Sequence, residues 1–464
     1  MKNKTDFENL KWSRREFLQT IGMGTLAFLI GCRLNDQTFP SQKRKPPNII
    51  VILSDDHGYG ALGCQGNWDI PTPHIDSLAQ NGVRFTNGYV TAPLCSPTRA
   101  GLLTGRCQQR FGHEFNPAPI AVASGTFGLP LDQKTFADYL REAGYATGIV
   151  GKWHLGQTPD FYPQRRGFDE FFGFLPGAHK YTNPSKDNRN PIFRGSEIVT
   201  EEEYLTSAFT REALSFIERH KDEPFFLYLP FNAIHSPLDA QEKDLEFFTH
   251  LKTPKMQKWA AMLKSLDDAV GSVLSKIRET GLEKDTLIFF LGDNGGYPVD
   301  DINPNGALRG RKGDMFEGGI RIPYLMQWKG HLLPGMVYDK PVSSLDILPT
   351  AVAAVGGIFA SNLEGVNLIP YLEGDDPGTP HEKLFWRLGK KSAARVGDWK
   401  LVRNGDGTEQ LFNLASDIGE ENDMASANIE KLEELKSAYN EWDANNIEPK
   451  WIDGRQIRQN KRKK

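Results

Sequence analysis

Asn48-Ile49-Ile50-Val51-Ile52-Leu53, followed at once by Ser54-Asp55-Asp56, is a β-branched and aliphatic run that stops on two acids. A strand with one wet face alternates polar and apolar residues. An unbroken apolar run instead fits a strand covered on both faces, as in a parallel sheet. Helical spacing follows at about 72–81, 97–103 and 135–143, before a second short apolar run from Ala146 to Val150. Further runs at Phe225 to Leu229 and Thr286 to Leu291 end before Pro230-Phe231-Asn232 and Gly292-Asp293-Asn294, and the stretch 255–279 between them has helical periodicity. This alternation predicts a doubly wound α/β domain over 46–372, with helices on both faces of the sheet and polar groups gathered at the carboxyl ends of its strands.

Gly374-Asp375-Asp376-Pro377-Gly378 breaks the pattern. Beyond it, 383–388, 392–396 and 399–403 read as short strands between glycine turns and 428–443 as a helix, which predicts a smaller C-terminal α+β subdomain over 373–464 with a short antiparallel sheet. The length of 464 residues allows both units. Hydrophobic residues at 39% and charged residues at 25% are globular values and exclude a disordered chain or a polytopic membrane protein. Lys+Arg 55 against Asp+Glu 59 leaves no basic excess, so no nucleic-acid partner is expected, and the basic run 461–464 reads as a solvated tail.

Residues 1–45 read as an address. Ser13-Arg14-Arg15-Glu16-Phe17-Leu18 precedes an apolar run from Ile21 to Ile30 and resembles a twin-arginine export signal. The run is about half the length of a bilayer-spanning helix. It closes on Leu29-Ile30-Gly31-Cys32, which resembles a lipoprotein cleavage box. The expectation is an exported protein of the periplasm or cell envelope, attached to membrane only through a lipid anchor at Cys32, with 33–47 as a polar tether. That leaves Cys64, Cys95 and Cys107, an odd number, so disulfides do not organise the fold, and pairing of Cys64 with Cys107 stays open.

Cys95-Ser96-Pro97-Thr98-Arg99-Ala100-Gly101-Leu102-Leu103-Thr104-Gly105-Arg106 is the most specific segment. Pro97 suits the first turn of a helix and Gly105 its end, so the helix aims free N–H groups at whatever stands on residue 95. A buried cysteine before a capped helix is, alone, an ordinary core feature. The full stretch, however, resembles the signature of the type I, formylglycine-dependent sulfatases of the alkaline phosphatase superfamily. The resemblance runs from about 47 to 443 and takes in, in order, Asp55-Asp56-His57-Gly58-Tyr59-Gly60, Thr72-Pro73-His74-Ile75-Asp76, Gly151-Lys152-Trp153-His154-Leu155-Gly156, Asn232-Ala233-Ile234-His235-Ser236-Pro237, Gly292-Asp293-Asn294-Gly295-Gly296 and Arg311-Lys312-Gly313-Asp314. It departs at Ala61, where many relatives carry an acid.

The resemblance implies an alkaline-phosphatase-like fold and a sulfuric ester hydrolase. Cys95 would be oxidised by a formylglycine-generating maturation enzyme, and one Ca²⁺ per chain would be held by Asp55, Asp56, Asp293 and Asn294, with residue 95 completing the shell. An all-oxygen set suits such a hard cation, although each acid could instead cap a helix. One hydroxyl of the hydrated aldehyde would attack sulfur, with Arg99 as partner to that hydroxyl and Lys152 and Lys312 on the sulfate. His235 would protonate the leaving oxygen and His154 would act as base. An envelope location exposes the protein to imported glycans, so a sulfated carbohydrate is the expected substrate. His113, Asn116, His179, Lys180 and Tyr181 in loops, with Trp386 and Arg387 from the subdomain, are candidates for its subsites, packing being the competing role. Two rival readings are a phosphonate monoester or phosphodiester hydrolase of the same superfamily and a catalytically inactive lipoprotein that binds sulfated glycans.

Overall fold

The structure is a computed structural model and describes residues 46–67, 69–117, 127–187, 190–357 and 361–452. The export motif, Cys32 and the basic run 461–464 lie outside the described residues.

Five parallel strands form the middle of a ten-stranded sheet, in the spatial order Thr286–Gly292, Asn48–Ser54, Phe225–Pro230, Ala146–Lys152 and Glu170–Phe174. Tyr324–Gln327 pairs antiparallel to Thr286–Gly292, and Val83–Phe85 and Met336–Tyr338 extend that side. Ile192–Arg194 and Glu197–Val199 extend the other side, also antiparallel. Every residue of Asn48–Ser54 is buried. Its side chains divide by pleat: Ile50 and Ile52 enter one core, Ile49, Val51 and Leu53 the other. The unbroken apolar run is therefore the mark of two covered faces. Leu205–His220 and Pro254–Glu279 cover the first face, and Cys95–Thr104, Phe136–Glu142 and Ile347–Ala354 the second.

Helix ends follow local chemistry. Thr135 caps Phe136–Glu142 through its hydroxyl, which accepts from the Asp138 amide at 3.2 Å. Cys95–Thr104 begins two residues before Pro97 and stops at Gly105, whose φ of 63° is the left-handed closure glycine favours. Cys64, Cys95 and Cys107 are all unpaired. Among the described residues no helix is long and apolar enough to cross a membrane.

After Gly374, four consecutive strands, Lys383–Leu388, Lys391–Val396, Trp399–Arg403 and Glu409–Asn413, pair antiparallel. One face buries Leu401 and Leu411 under Leu435 and Tyr439 of the helix Ile429–Asp443. The other packs Trp386, Val402 and Phe412 on Tyr89, Leu94, Met315 and Ile320. A buried ion cluster lies at this second contact. Lys400 Nζ stands 2.8 Å from Glu317 Oε1 and 2.8 Å from Glu420 Oε1. Glu317 also accepts from Tyr89 OH at 2.6 Å and pairs with Arg321 at 3.3 Å.

Burial pushes the Glu317 carboxyl up, but Lys400 and Arg321 outweigh it and hold the group down at about 2. Burial and the neighbouring Glu317 raise Glu420 from 4.5 to about 7, with Lys400 offsetting part of the effect. Lys400→Met should thus leave two buried carboxylates with too little countercharge and cost about 3–5 kcal/mol in denaturant unfolding. The pH dependence has a definite sign. An acid whose folded pKa lies above its unfolded value favours the fold when protonated, and that contribution is lost as pH rises through the folded value. Glu420→Gln should accordingly flatten the fall in Tm between about pH 5 and 8, as read by calorimetry.

Candidate active site

The carboxyl ends of the parallel strands are tied to one another by backbone. Asp293 N donates to Ser54 O at 2.9 Å, Asp55 N donates to Ala233 O at 2.9 Å, and Ile234 N returns a bond to Asp55 O at 3.0 Å. Asp56 leaves its strand with φ 57°, a conformation aspartate tolerates better than bulkier residues. That turn lets its amide donate to Asp293 Oδ1 at 3.0 Å. Three carboxylates from two strand ends are thereby fixed within one small, buried volume.

Cys95 meets them from the first position of its helix. Its Sγ lies 3.2 Å from Asp55 Oδ1 and 3.7 Å from Asp56 Oδ1, and Lys312 Nζ donates to it at 3.1 Å. One turn on, Arg99 donates to Asp293 Oδ2 from Nε at 3.1 Å and Nη2 at 2.8 Å, and its Nη1 donates to Lys152 O at 2.9 Å. Lys152 Nζ pairs closely with Asp55 Oδ2, and Lys312 Nζ lies 2.6 Å from Asp56 Oδ1. Three buried acids face three cations.

Burial pushes every one of these carboxyls up. At Asp55 it is outweighed by Lys152, His235, Arg99 and Lys312, which hold the group well below the usual carboxylate range. Lys312 and His235 likewise lower Asp56. Asp293, repelled by Asp55 and only partly compensated by Arg99, is raised to about 6. The Cys95 thiol is pushed well up by burial and by the Asp293 and Asp55 carboxylates, so an unmodified thiol here stays protonated and is a poor nucleophile.

The donor set fits a hard divalent cation. Ligand atoms of Asp55, Asp56, Cys95 and His235 all lie within 4.8 Å of one another. Asn294 Nδ2 donates to Asp56 Oδ1 at 2.8 Å, while Asn294 Oδ1 is a buried acceptor without a hydrogen-bond partner. The sequence pattern leaves histidine out of the shell, yet His235 Nε2 stands 3.6 Å from Asp56 Oδ2, at the edge of the group. The loop after Asn294 lies hard against Glu317–Ile320: a Cβ on Gly295 would fall 1.7 Å from Gly318 O.

His154 is buried with φ 61° and its Nδ1 has no partner. Its ring packs on Gly177, where a Cβ would come within 2.5 Å of Nε2. Burial, reinforced by Lys152 and Arg99, pushes its pKa well down, so the ring is neutral.

Most of the expected sugar-contacting residues have other duties. Trp386 is 1% exposed and its Nε1 donates to Val90 O at 2.6 Å, which places the ring in the core between the sheets. Arg387 is held by Glu114 at 2.8 Å and Asp443 at 2.7 Å. His113 is fully buried with Nε2 2.6 Å from Ser96 Oγ, and Asn116 Oδ1 accepts from Ser96 N at 3.0 Å, so both brace the residue next to Cys95. His179 is buried with its ring nitrogens on Lys180 O and Asn190 O. Tyr181 is buried and donates to Asn232 O and His235 O, anchoring the histidine loop. Lys180 alone of this group is exposed. Ser96 escapes sequence reasoning because nothing local marks it: its hydroxyl joins His113 to His154 O, at 2.7 Å, across three separate segments.

Acids, a cysteine and fixed cations gathered at the carboxyl ends of the parallel strands suit a hydrolase of anionic esters. The Sulfatase family model matches residues 47–358, and the chain belongs to the sulfatase family, in the alkaline phosphatase superfamily, whose members hydrolyse sulfate esters. It is 35% identical over 384 residues to mouse N-acetylgalactosamine-6-sulfatase, spanning 77% of this chain and 72% of that protein. Human arylsulfatase A is 35% identical over 370 residues, 74% of this chain and 70% of its own. Among solved structures, Ps i-CgsB superposes with a TM-score of 0.83 at 35% identity, covering 88% of this chain and 95% of its own.

Metal removal should show the site's coupling to folding. Chelation should lower Tm and a divalent cation restore it, with about 2.7 kcal/mol gained at a hundredfold excess over Kd. Asp293→Ala should abolish that response in a thermal shift assay, since one of three carboxylates is gone.

Proposed function

We propose that this sulfatase removes sulfate from carbohydrates, using a formylglycine made from Cys95 and one Ca²⁺ held by Asp55, Asp56, Asp293, Asn294 and residue 95. The carrying observation is the place of Cys95, at a helix N-terminus and in contact with Asp55, Asp56 and Lys312, where a plain thiol is held protonated. The hydrated aldehyde supplies an oxygen nucleophile and the cation neutralises sulfate oxygens. For the carbohydrate, support comes from relatives: one is named for N-acetylgalactosamine 6-sulfate, and Ps i-CgsB is also solved in complex with k-i-k-neocarrahexaose. A twin-arginine motif and the Gly31-Cys32 box support export to the periplasm or envelope and a lipid anchor at Cys32, and a formylglycine-generating enzyme is the required partner.

The chain's own groups divide the remaining work. Lys152 and Lys312, at 0% and 9% side-chain exposure and held on Asp55 and Asp56, are the cations that take the sulfate oxygens, where fixed charge stabilises the charge that develops. Arg99, locked on Asp293 and Lys152 O, orients the oxygen on residue 95. His235 is the acid: Nδ1 donates to Ser236 O, which leaves Nε2 to face the site, and burial lowers its pKa, with the Asp55 and Asp56 carboxylates offsetting part of that effect. His154, neutral and with a free ring nitrogen, is the base.

Two experiments test this reading. Peptide mass analysis of active enzyme should find the residue-95 thiol converted to an aldehyde, and an active preparation with only intact thiol would refute the nucleophile. His235→Ala should lower kcat/KM on sugar sulfates by roughly 10²–10⁴-fold and on aryl sulfates far less, because an aryl leaving group departs with little protonation. Equal losses on both would reject His235 as the acid, and faster turnover of a matched phosphate ester would reject the sulfatase specificity.

A further inference from the structure

The loop that follows the acidic pair Asp293-Asn294 carries Tyr297, which is 45% exposed, one of the large rings most open to solvent in the described chain. The loop that delivers Lys312 to Cys95 carries Arg311 one residue earlier, exposed at the surface. These two side chains meet: the Arg311 guanidinium carbon lies 5.6 Å from the centre of the Tyr297 ring. Neither side chain forms a hydrogen bond or ion pair with another described residue.

Structural demand does not account for the pair. The Arg311–Lys312 loop is braced by other groups: Arg309 donates to Glu420 O at 2.6 Å and stacks over Phe316 at 4.0 Å, and Lys391 Nζ donates to Gly313 O at 2.9 Å. The Tyr297 loop is braced by Asn305, which accepts from Gly296 N at 2.9 Å and donates to Gly296 O at 3.0 Å. Two well-held loops therefore present an open aromatic ring and an uncommitted guanidinium side by side, one residue from a cation that touches the reacting position.

That combination has a chemistry. A half-exposed ring stacks on the apolar face of a sugar. A guanidinium pairs through its planar fork with sulfate or carboxylate. Lys152 and Lys312 already serve the sulfate that is cleaved, so the anion left for Arg311 is a second one. We infer that Tyr297 and Arg311 form a subsite for a neighbouring sugar that carries its own sulfate or carboxylate, and that they set preference for densely charged glycans. This rests on the carbohydrate sulfatase reading above. The ring stacks, the fork pairs with the anion, and the linkage to the neighbouring sugar orients the sulfate to be cut.

The test compares wild type, Arg311→Ala, Arg311→Lys and Tyr297→Ala on disaccharide monosulfates whose neighbouring sugar is neutral, sulfated or a uronate, with an aryl sulfate as reference. In wild type, kcat/KM should favour a charged neighbour. In Arg311→Ala that preference should fall about 10-fold or more, through KM, as loss of a charge-assisted pair implies. Arg311→Lys should recover part of it, and the sulfated and uronate arms show which anion is read. Tyr297→Ala should raise KM for every disaccharide. An unchanged preference in Arg311→Ala, or a loss of equal size on the aryl sulfate, would overturn the subsite. A wild type that cleaves the aryl sulfate and no disaccharide would overturn the carbohydrate reading itself and the subsite with it, and one inactive on every sulfate ester would overturn the sulfatase chemistry.

Discussion

Asp55, Asp56 and Asp293 must remain close together while buried, and the rest of the structure is organised around that constraint. Each carboxylate loses its water and repels the other two. Arg99, Lys152 and Lys312 supply compensating charge from three separate segments, so the site stands only if all three segments are brought to the carboxyl ends of the central strands. A bound cation would add to the same balance and would relieve Asp293, the acid least compensated by protein charge.

The parallel sheet satisfies the constraint through its register. Asn48–Ser54 pairs with Thr286–Gly292 residue for residue from Asn48 on Thr286 to Ser54 on Gly292, so Asp55 and Asp293 leave adjacent strands at the same level. The strand order also places Phe225–Pro230 on the other side of Asn48–Ser54, and its exit carries His235 into the same space. Lys312 has no strand of its own. Its loop is held from the C-terminal sheet, by Lys391 on Gly313 O and by the Lys400 cluster behind Glu317. The small sheet thus supports a charged group it does not itself contain.

Much of this was legible in the residues. The apolar run 48–53 signals two covered faces, and the acids after it sit where an α/β sheet puts its polar groups. The spacing of Leu205, Ala208, Phe209, Ala213, Phe216 and Ile217 marks a helix as well, although it is not among the helices expected from the sequence. Val83–Phe85, Ile192–Arg194 and Met336–Tyr338 are too short for any periodicity to register. Trp386 and Arg387 read as sugar contacts because a ring beside a guanidinium is what a sugar site uses. Their actual partners, Val90, Glu114 and Asp443, lie far away in sequence, and only tertiary contact reveals them. Tyr297 and Arg311 are the converse case: each is unremarkable in its own segment, and only the approach of two loops makes them a pair.

The braces behind Lys312 also impose an order in time. Asp55, Cys95, Arg99, Lys152, His235, Asp293 and Lys312 all leave the ribosome before Lys391, Lys400 and Glu420. A growing chain therefore holds every charged group of its site for roughly a hundred residues of synthesis without the supports that hold the last of them in place. A product truncated in that interval would carry the right groups on an unsupported loop.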